Sequence, residues 1–182
     1  MWKNDKLDKI QEGLIEQNII SIGGEIDDDA TMYIREALLR LRAKGNPEIT
    51  LQITSGGGSV DVGLDIYDFL RSYPGKKIGT VQGVARSMAA IILQACDKRI
   101  AMRHSSILIH HISKRDIGLD ELRDKEKIAQ ILDTLEKSQA RIYTILSEKT
   151  KHTIEEIKVE CAKNEDMTAE DALSFGLVDE II

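Results

Sequence analysis

The chain reads as an α/β protein, a mainly parallel sheet with helices outside it and one long helix added to the core. Three observations predict this. Short apolar runs of strand length alternate with stretches whose apolar residues recur at helical spacing. Glycine, proline and asparagine fall between them, where the chain must turn. From Leu119 to Lys149 the alternation gives way to one apolar stripe on a heavily charged background. Parallel strands need a long crossover, so a strand–helix–strand rhythm is their expected signature.

Leu7, Ile10, Leu14 and Ile15 predict a short amphipathic helix at the start. Ile19-Ile20-Ser21-Ile22 is a strand, closed by Gly23-Gly24. Asp27-Asp28-Asp29 offers N-caps for a helix with Ile34, Leu38 and Leu41 on one face, ended by Gly45-Asn46-Pro47. Ile49 to Ile53 is a second strand that runs into Ser55-Gly56-Gly57-Gly58-Ser59. Val62, Ile66, Phe69 and Leu70 mark the next helix, and Tyr73-Pro74-Gly75 stops it. Lys77 to Val84 is a third strand, Ser87 to about Cys96 a short helix, and Arg99 to Met102 and Ser106 to His110 two further strands.

Leu122, Ile128, Ile131, Leu132, Leu135, Ile142, Ile145 and Leu146 form the stripe of the long helix. About 28 residues would span roughly 40 Å at 1.5 Å per residue, long enough to project and pack against another subunit. Thr153-Ile154-Glu155-Glu156 and Thr168-Ala169-Glu170-Asp171 each have the form of a capping box opening a short helix. Gly176 ends the second, and Leu177 to Ile182 is a terminal strand. No domain boundary or repeat interrupts this order, so residues 1–182 read as one domain.

Composition narrows the function. A net charge of −6 argues against nonspecific nucleic-acid binding, which needs a basic stripe. No run approaches a membrane span, and the charged N-terminus has no apolar signal core, so a cytoplasmic location is the default expectation. Cys96 and Cys161 lack metal-like spacing and read as reduced core thiols. His104, His110, His111 and His152 form no zinc motif, and no cofactor is implied.

Two sites remain for chemistry. In open α/β sheets, sites form at the carboxyl ends of strands. Gly56-Gly57-Gly58 falls at one such end, where it could be a plain turn, a phosphate cradle or a set of N–H donors. No Gly-Lys-Ser/Thr follows, which excludes the lysine-bearing phosphate loop. Ser87 falls at another end, between an apolar run and an alanine-rich helix. It reads as a helix cap or as a nucleophile with the Met88 N–H beside it for an oxyanion. His110 ends an apolar run twenty-three residues on, where its imidazole could take the Ser87 proton. His111 faces the other way if that strand continues, so only one of the two histidines can point at Ser87.

The blocks Thr54-Ser55-Gly56-Gly57-Gly58-Ser59-Val60, Gly83-Val84-Ala85-Arg86-Ser87-Met88-Ala89-Ala90, Ile107-Leu108-Ile109-His110 and Ala172-Leu173-Ser174-Phe175-Gly176-Leu177-Val178-Asp179 occur in this order. Together they resemble the Clp protease proteolytic subunits, from about Ile19 to Ile182. The resemblance implies a crotonase-like core of repeated ββα units with a projecting handle helix, here in the region 112–150. It implies Ser87 as nucleophile, His110 as general base, and the N–H groups of Gly58 and Met88 as the oxyanion hole. It implies a serine endopeptidase that cuts unfolded polypeptides inside a barrel of two stacked heptameric rings, fed by a hexameric AAA+ unfoldase. Homo- and hetero-oligomeric barrels both fit, and no ATP site is implied in this chain.

Three departures from the family pattern stand out. The position of the third triad residue, an aspartate in the family, holds Asn164, with Glu165 and Asp166 as neighbouring acids that a small register shift could bring in. After His110 the family has Gln-Pro and a glycine-rich edge strand, whereas this chain has His111-Ile112-Ser113-Lys114-Arg115-Asp116-Ile117-Gly118, and its handle region is about five residues longer. Met1 to Gln17 has no counterpart of the family's axial loops. A weakly active or regulatory subunit of a mixed barrel is therefore a second reading. An acyl-CoA enzyme of the wider crotonase superfamily is a third, set against it by the Ser87 and His110 blocks.

Overall fold

A computed structural model describes residues 5–113 and 117–182, with side chains described from residue 9 onward. Helix α1 (Asp5–Glu16) leads into β1 (Ile19–Ile26), α2 (Asp28–Ala43), β2 (Ile49–Gly58), α3 (Val60–Arg71) and β3 (Lys77–Arg86). Then come α4 (Met88–Leu93), β4 (Lys98–Ala101) and β5 (Ser106–Leu108). The chain ends with α5 (Leu119–Arg123), α6 (Lys125–Thr150), α7 (Ile154–Lys163), β6 (Met167–Thr168), α8 (Ala169–Phe175) and β7 (Glu180–Ile181).

The sheet runs β1-β2-β3-β4-β7, every pair parallel. Strand β3 is forked. Its first half pairs with β4, and its last three residues, Val84 to Arg86, pair with β5. On the far side of β5 lies β6, the one antiparallel neighbour. The fork moves β5 and β6 out of the main path and toward the end of β3, where Ser87 follows.

The elements form for local reasons. Asp27 caps α2 by accepting the Ala30 N–H, and Ile34, Ala37, Leu38 and Leu41 bury one face on the sheet. Each such large side chain contributes about 1.5–3 kcal/mol. Ser59 caps α3, which buries Gly63, Ile66, Tyr67 and Leu70, while Phe69 is only partly covered. Both predicted capping boxes are present, Thr153 with Glu156 on α7 and Thr168 with Asp171 on α8. Cys96 and Cys161 are free and buried, and burial pushes each thiol up to about 12.

Several boundaries differ from the sequence reading. Strand β1 does not close at Gly23-Gly24 but continues to Ile26 through a register shift between Gly23 and Glu25. The long helix does not begin at Leu119. Asp124 accepts the N–H groups of Glu126 and Lys127 and so starts a new helix, leaving α5 as a separate turn and a half. Strand β5 stops at Leu108, so His110 follows the strand instead of ending it. The predicted first helix exists as α1, where Ile15 is buried and Ile10 exposed, while the Leu7 side chain lies outside the described residues. No helix among the described residues is long and apolar enough to cross a membrane.

Arg99 fastens the C-terminal end to the sheet. Arg99 is 8% exposed, and its side chain donates to Asp179 Oδ1 at 2.5 Å, Gln94 Oε1 at 2.5 Å and the Gly176 carbonyl at 2.8 Å. Removing a buried charge of this kind leaves several acceptors unmatched. Arg99→Ala is expected to lower unfolding stability by about 3 kcal/mol, read from the urea midpoint at constant m-value. A change under about 0.5 kcal/mol would show that the network is not a fastening.

Candidate active site

Ser87 is the single residue between β3 and α4, with φ 55 and ψ −125. A residue with a Cβ rarely adopts this conformation, and holding it costs of order 1–3 kcal/mol. Its N–H donates to the Leu108 carbonyl at 2.8 Å, and its carbonyl accepts from Ala90, so the backbone is held on both sides. The side chain makes no cap hydrogen bond. Ser87 therefore stands at the N-cap position without using its hydroxyl as a cap, and the residue forms a sharp strand-to-helix turn.

Gly57 packs directly against this turn. It has φ +94, and a Cβ there would lie 2.6 Å from Ser87 Cβ and 2.8 Å from the Arg86 carbonyl oxygen. Only glycine lets β2 approach so closely. Gly63 does the same for α3, where a Cβ would meet Met88 Cε at 2.6 Å and Met88 Cβ at 2.9 Å.

The donors suited to an oxyanion lie at the same edge. Buried Ser55 donates its hydroxyl to the Gly24 carbonyl at 2.6 Å and accepts the Gly57 N–H at 3.1 Å. That occupies Gly57 and joins the end of β2 to the β1 bulge. Ile26 pairs with Gly58 and accepts from the Ser59 N–H at 2.9 Å, so the ladder bonds bracket Gly58 and turn its own N–H away from β1. Met88 opens α4, and a first-turn N–H has no partner inside its helix.

His110 shares a small pocket with Ser87, lined also by Met88, Ile91, Ile142 and Leu146. His110 Nδ1 lies 2.7 Å from the His111 carbonyl oxygen. A carbonyl only accepts, so Nδ1 carries a proton, and in the neutral imidazole the lone pair is then on Nε2. That is the tautomer a general base needs. No hydrogen bond joins Ser87 and His110 among the described residues. His111 turns elsewhere, with its Nδ1 2.7 Å from the Tyr143 hydroxyl on α6. The Ile112 N–H donates to Gln139 Oε1 at 2.6 Å, so the segment after His110 is fastened to the long helix. Lys114 to Asp116, within the stretch that departs from the family pattern, lie outside the described residues.

Asn164 ends α7 in the left-handed conformation, φ 53 and ψ 42, and is exposed. Asparagine is among the few residues that adopt this cap readily, which gives a local cause for its presence. Strands β5 and β6 pair Ser106 with Thr168 and Ile107 with Met167. Asn164 lies three residues before β6 and His110 two residues after β5, and no hydrogen bond connects the two among the described residues. Asp166 is engaged elsewhere. Arg86 donates Nε to Oδ1 at 2.7 Å and Nη2 to Oδ2 at 2.9 Å, and these hydrogen bonds hold the carboxyl below the usual carboxylate range. Glu165 lines a different surface depression, with His152 and Glu160.

Two parts of this arrangement escaped the sequence reading. Gly57 was visible only as one of three glycines, and its distinct role comes from facing Ser87. The Arg86–Asp166 pair spans eighty positions, and no local pattern announces it.

Comparison with known proteins agrees with this architecture. The family model for Clp protease matches residues 3–182. The ATP-dependent Clp protease proteolytic subunit 3 of Rhodococcus jostii (strain RHA1) is 32% identical over 178 residues, covering 96% of this chain and 86% of that protein. The chain belongs to the Clp protease family and is of the proteolytic-subunit type.

The strain at Ser87 is measurable without any substrate. Glycine accepts φ 55 and ψ −125 freely, whereas alanine keeps the Cβ that makes it costly. Ser87→Gly is expected to be more stable than Ser87→Ala by about 1 kcal/mol in thermal or urea unfolding. Equal stability of the two variants would mean that the turn is not strained.

Proposed function

Starting from membership of the Clp protease family, we propose that this chain is a serine endopeptidase subunit with Ser87 as its nucleophile. The observation that carries the reading is the pairing in one pocket of a serine on a strained turn, its side chain making no cap hydrogen bond, with a histidine whose Nδ1 donates to a backbone carbonyl. In the reaction, His110 Nε2 takes the hydroxyl proton as Ser87 Oγ attacks the substrate carbonyl. The N–H groups of Gly58 and Met88 stabilise the oxyanion that forms. The imidazolium then gives its proton to the departing amine, and a water molecule repeats the sequence to release the acyl group. Asn164 is the third residue of the site, accepting from His110 Nδ1 in place of the His111 carbonyl when substrate closes the pocket.

The substrates are unfolded polypeptides, cut inside a chamber of two stacked heptameric rings and delivered by a hexameric AAA+ unfoldase. Supporting the assembly, Leu122 and Leu132 are each 52% exposed on α5 and α6, and Ile128, Ile131 and Leu135 are only partly covered. That end of the long helix therefore keeps apolar surface that a neighbouring subunit could cover. A second reading, a weakly active subunit regulating a sister subunit in a mixed barrel, is favoured by the neutral acceptors at His110 Nδ1.

A fluorophosphonate probe is expected to label the assembled protein at Ser87 and not at all in Ser87→Ala. His110→Ala should slow labelling at least ~100-fold. Asn164→Asp should speed peptide cleavage and Asn164→Ala should slow it about tenfold, the orienting contribution of one hydrogen bond. Native mass spectrometry should find fourteen copies. An unlabelled wild-type barrel under conditions where a known family member labels would sink the nucleophile assignment. Assembly only with a second, active subunit would favour the regulatory reading.

A further inference from the structure

We propose that the Arg86–Asp166 pair is a strap that positions the catalytic residues, tying the nucleophile's turn to the segment that carries Asn164. The proposal rests on the peptidase reading above and extends it to two residues outside the triad and the oxyanion hole. Arg86 is the last residue of β3, directly before Ser87. Asp166 is two residues after Asn164 and directly before β6. Between them lies β5, whose Leu108 pairs with Arg86 on one side. Carrying on the β5–β6 register sets Leu108 opposite Asp166 on the other.

Arg86 and Leu108 form one rung, Asp166 stands at the position that continues it one residue before β6, and side chains on one rung share a face. Adjacent strands are about 4.8 Å apart, so β3 and β6 are separated by roughly twice that. Arginine is long enough to cross this gap over Leu108 and meet the carboxylate with both prongs of its guanidinium, at 2.7 and 2.9 Å.

The strap encloses the strand that leads to His110. One step beyond the rung on β3 is Ser87, two steps beyond it on β5 is His110, and two steps before it on the third segment is Asn164. Strand β5 has only three residues and β6 only two, too few ladder bonds to fix the three segments firmly. A forked ion pair across all three supplies the missing rigidity. Arg86 and Asp166 bond each other and act through the segments that they join, so both are positioning residues. The Asp166 carboxyl is held below its ordinary value, so the pair is complete above the usual carboxylate range and is lost only as pH falls through that lowered value. Between pH 5 and 9 its state is constant.

The test uses the assembled full-length chain in four forms beside wild type: Arg86→Ala, Asp166→Ala, Arg86→Lys and the charge swap Arg86→Asp with Asp166→Arg. The rate of Ser87 labelling by the fluorophosphonate is followed from pH 5 to 9, and hydrogen exchange of the Ser87 amide is followed by mass spectrometry. Both alanine variants should label about tenfold more slowly at the plateau, with the inflection unmoved. Arg86→Lys, which offers a point charge instead of a fork, should fall between them and wild type. The swap should return to within about threefold of wild type. Exchange at Ser87, whose N–H bonds Leu108, should quicken about tenfold in the alanine variants and recover in the swap. Wild-type labelling rates in the alanine variants would overturn the proposal, as would a shifted inflection with an undiminished plateau. If the wild-type chain does not label at all, the peptidase reading fails and exchange alone judges the strap. Unchanged exchange then overturns it, and quickened exchange restored by the swap upholds it.

Discussion

The contact between the glycine end of β2 and the turn after β3 is the constraint on which the site depends. Gly57 lies where any Cβ would strike Ser87 and the Arg86 carbonyl. This contact presses the Ser87 backbone into an unusual conformation and prevents it from relaxing toward an ordinary helix cap. The strain is held because α4 is buried along its whole length and cannot shift to release it. Ser55, itself buried, turns the Gly57 N–H inward and anchors the loop to the β1 bulge. The bulge, the glycine run and the strained serine are therefore one mechanical unit, in which each piece holds the next.

A second constraint acts on the histidine. The fork in β3 lets β5 approach the serine turn, and the Ser87 N–H bond to Leu108 joins the two. Beyond Leu108 the chain leaves the sheet and is caught by α6 through Gln139 and Tyr143. The lower half of α6 does this with buried Ile142 and Leu146, which also line the pocket of Ser87 and His110. The outer half of the same helix leaves Leu132 exposed and Ile128, Ile131 and Leu135 only partly covered. Anything that engages the outer half pulls on a helix whose inner half lines the pocket of Ser87 and His110.

The sequence made the elements legible and left the contacts dark. Helices α2 and α3 and both capping boxes follow from periodicity and local side-chain bonds, because their physics lies within a few residues. Boundaries failed where tertiary pairing overrode a local signal. Gly23-Gly24 looks like a stop, yet β2 offers enough ladder bonds to carry β1 through it. The apolar stripe runs through Leu119 and Leu122, yet Asp124 caps a new helix there. Ser87 and His110 were visible as types at strand ends, and their family blocks gave them roles. The strain at Ser87, the facing of Gly57 and the Arg86–Asp166 pair depend on sheet order, which no short pattern encodes.

In the proposed mechanism, asparagine at position 164 costs less than the loss of a carboxylate suggests. In a serine protease, exchanging the triad aspartate for asparagine lowers the rate ~10⁴-fold, largely because the amide donates to the histidine and forces the wrong tautomer. Here His110 Nδ1 faces a backbone carbonyl, which has no proton to give. The tautomer is right before any third side chain acts. What a neutral acceptor withholds is only the charge that would stabilise the imidazolium, and that contribution is reduced where the site is open to solvent. Evolution of the cap therefore had latitude. Once the backbone carbonyl fixes the proton on Nδ1, the residue at the end of α7 can be chosen for its left-handed backbone, with Oδ1 still able to accept from the imidazole.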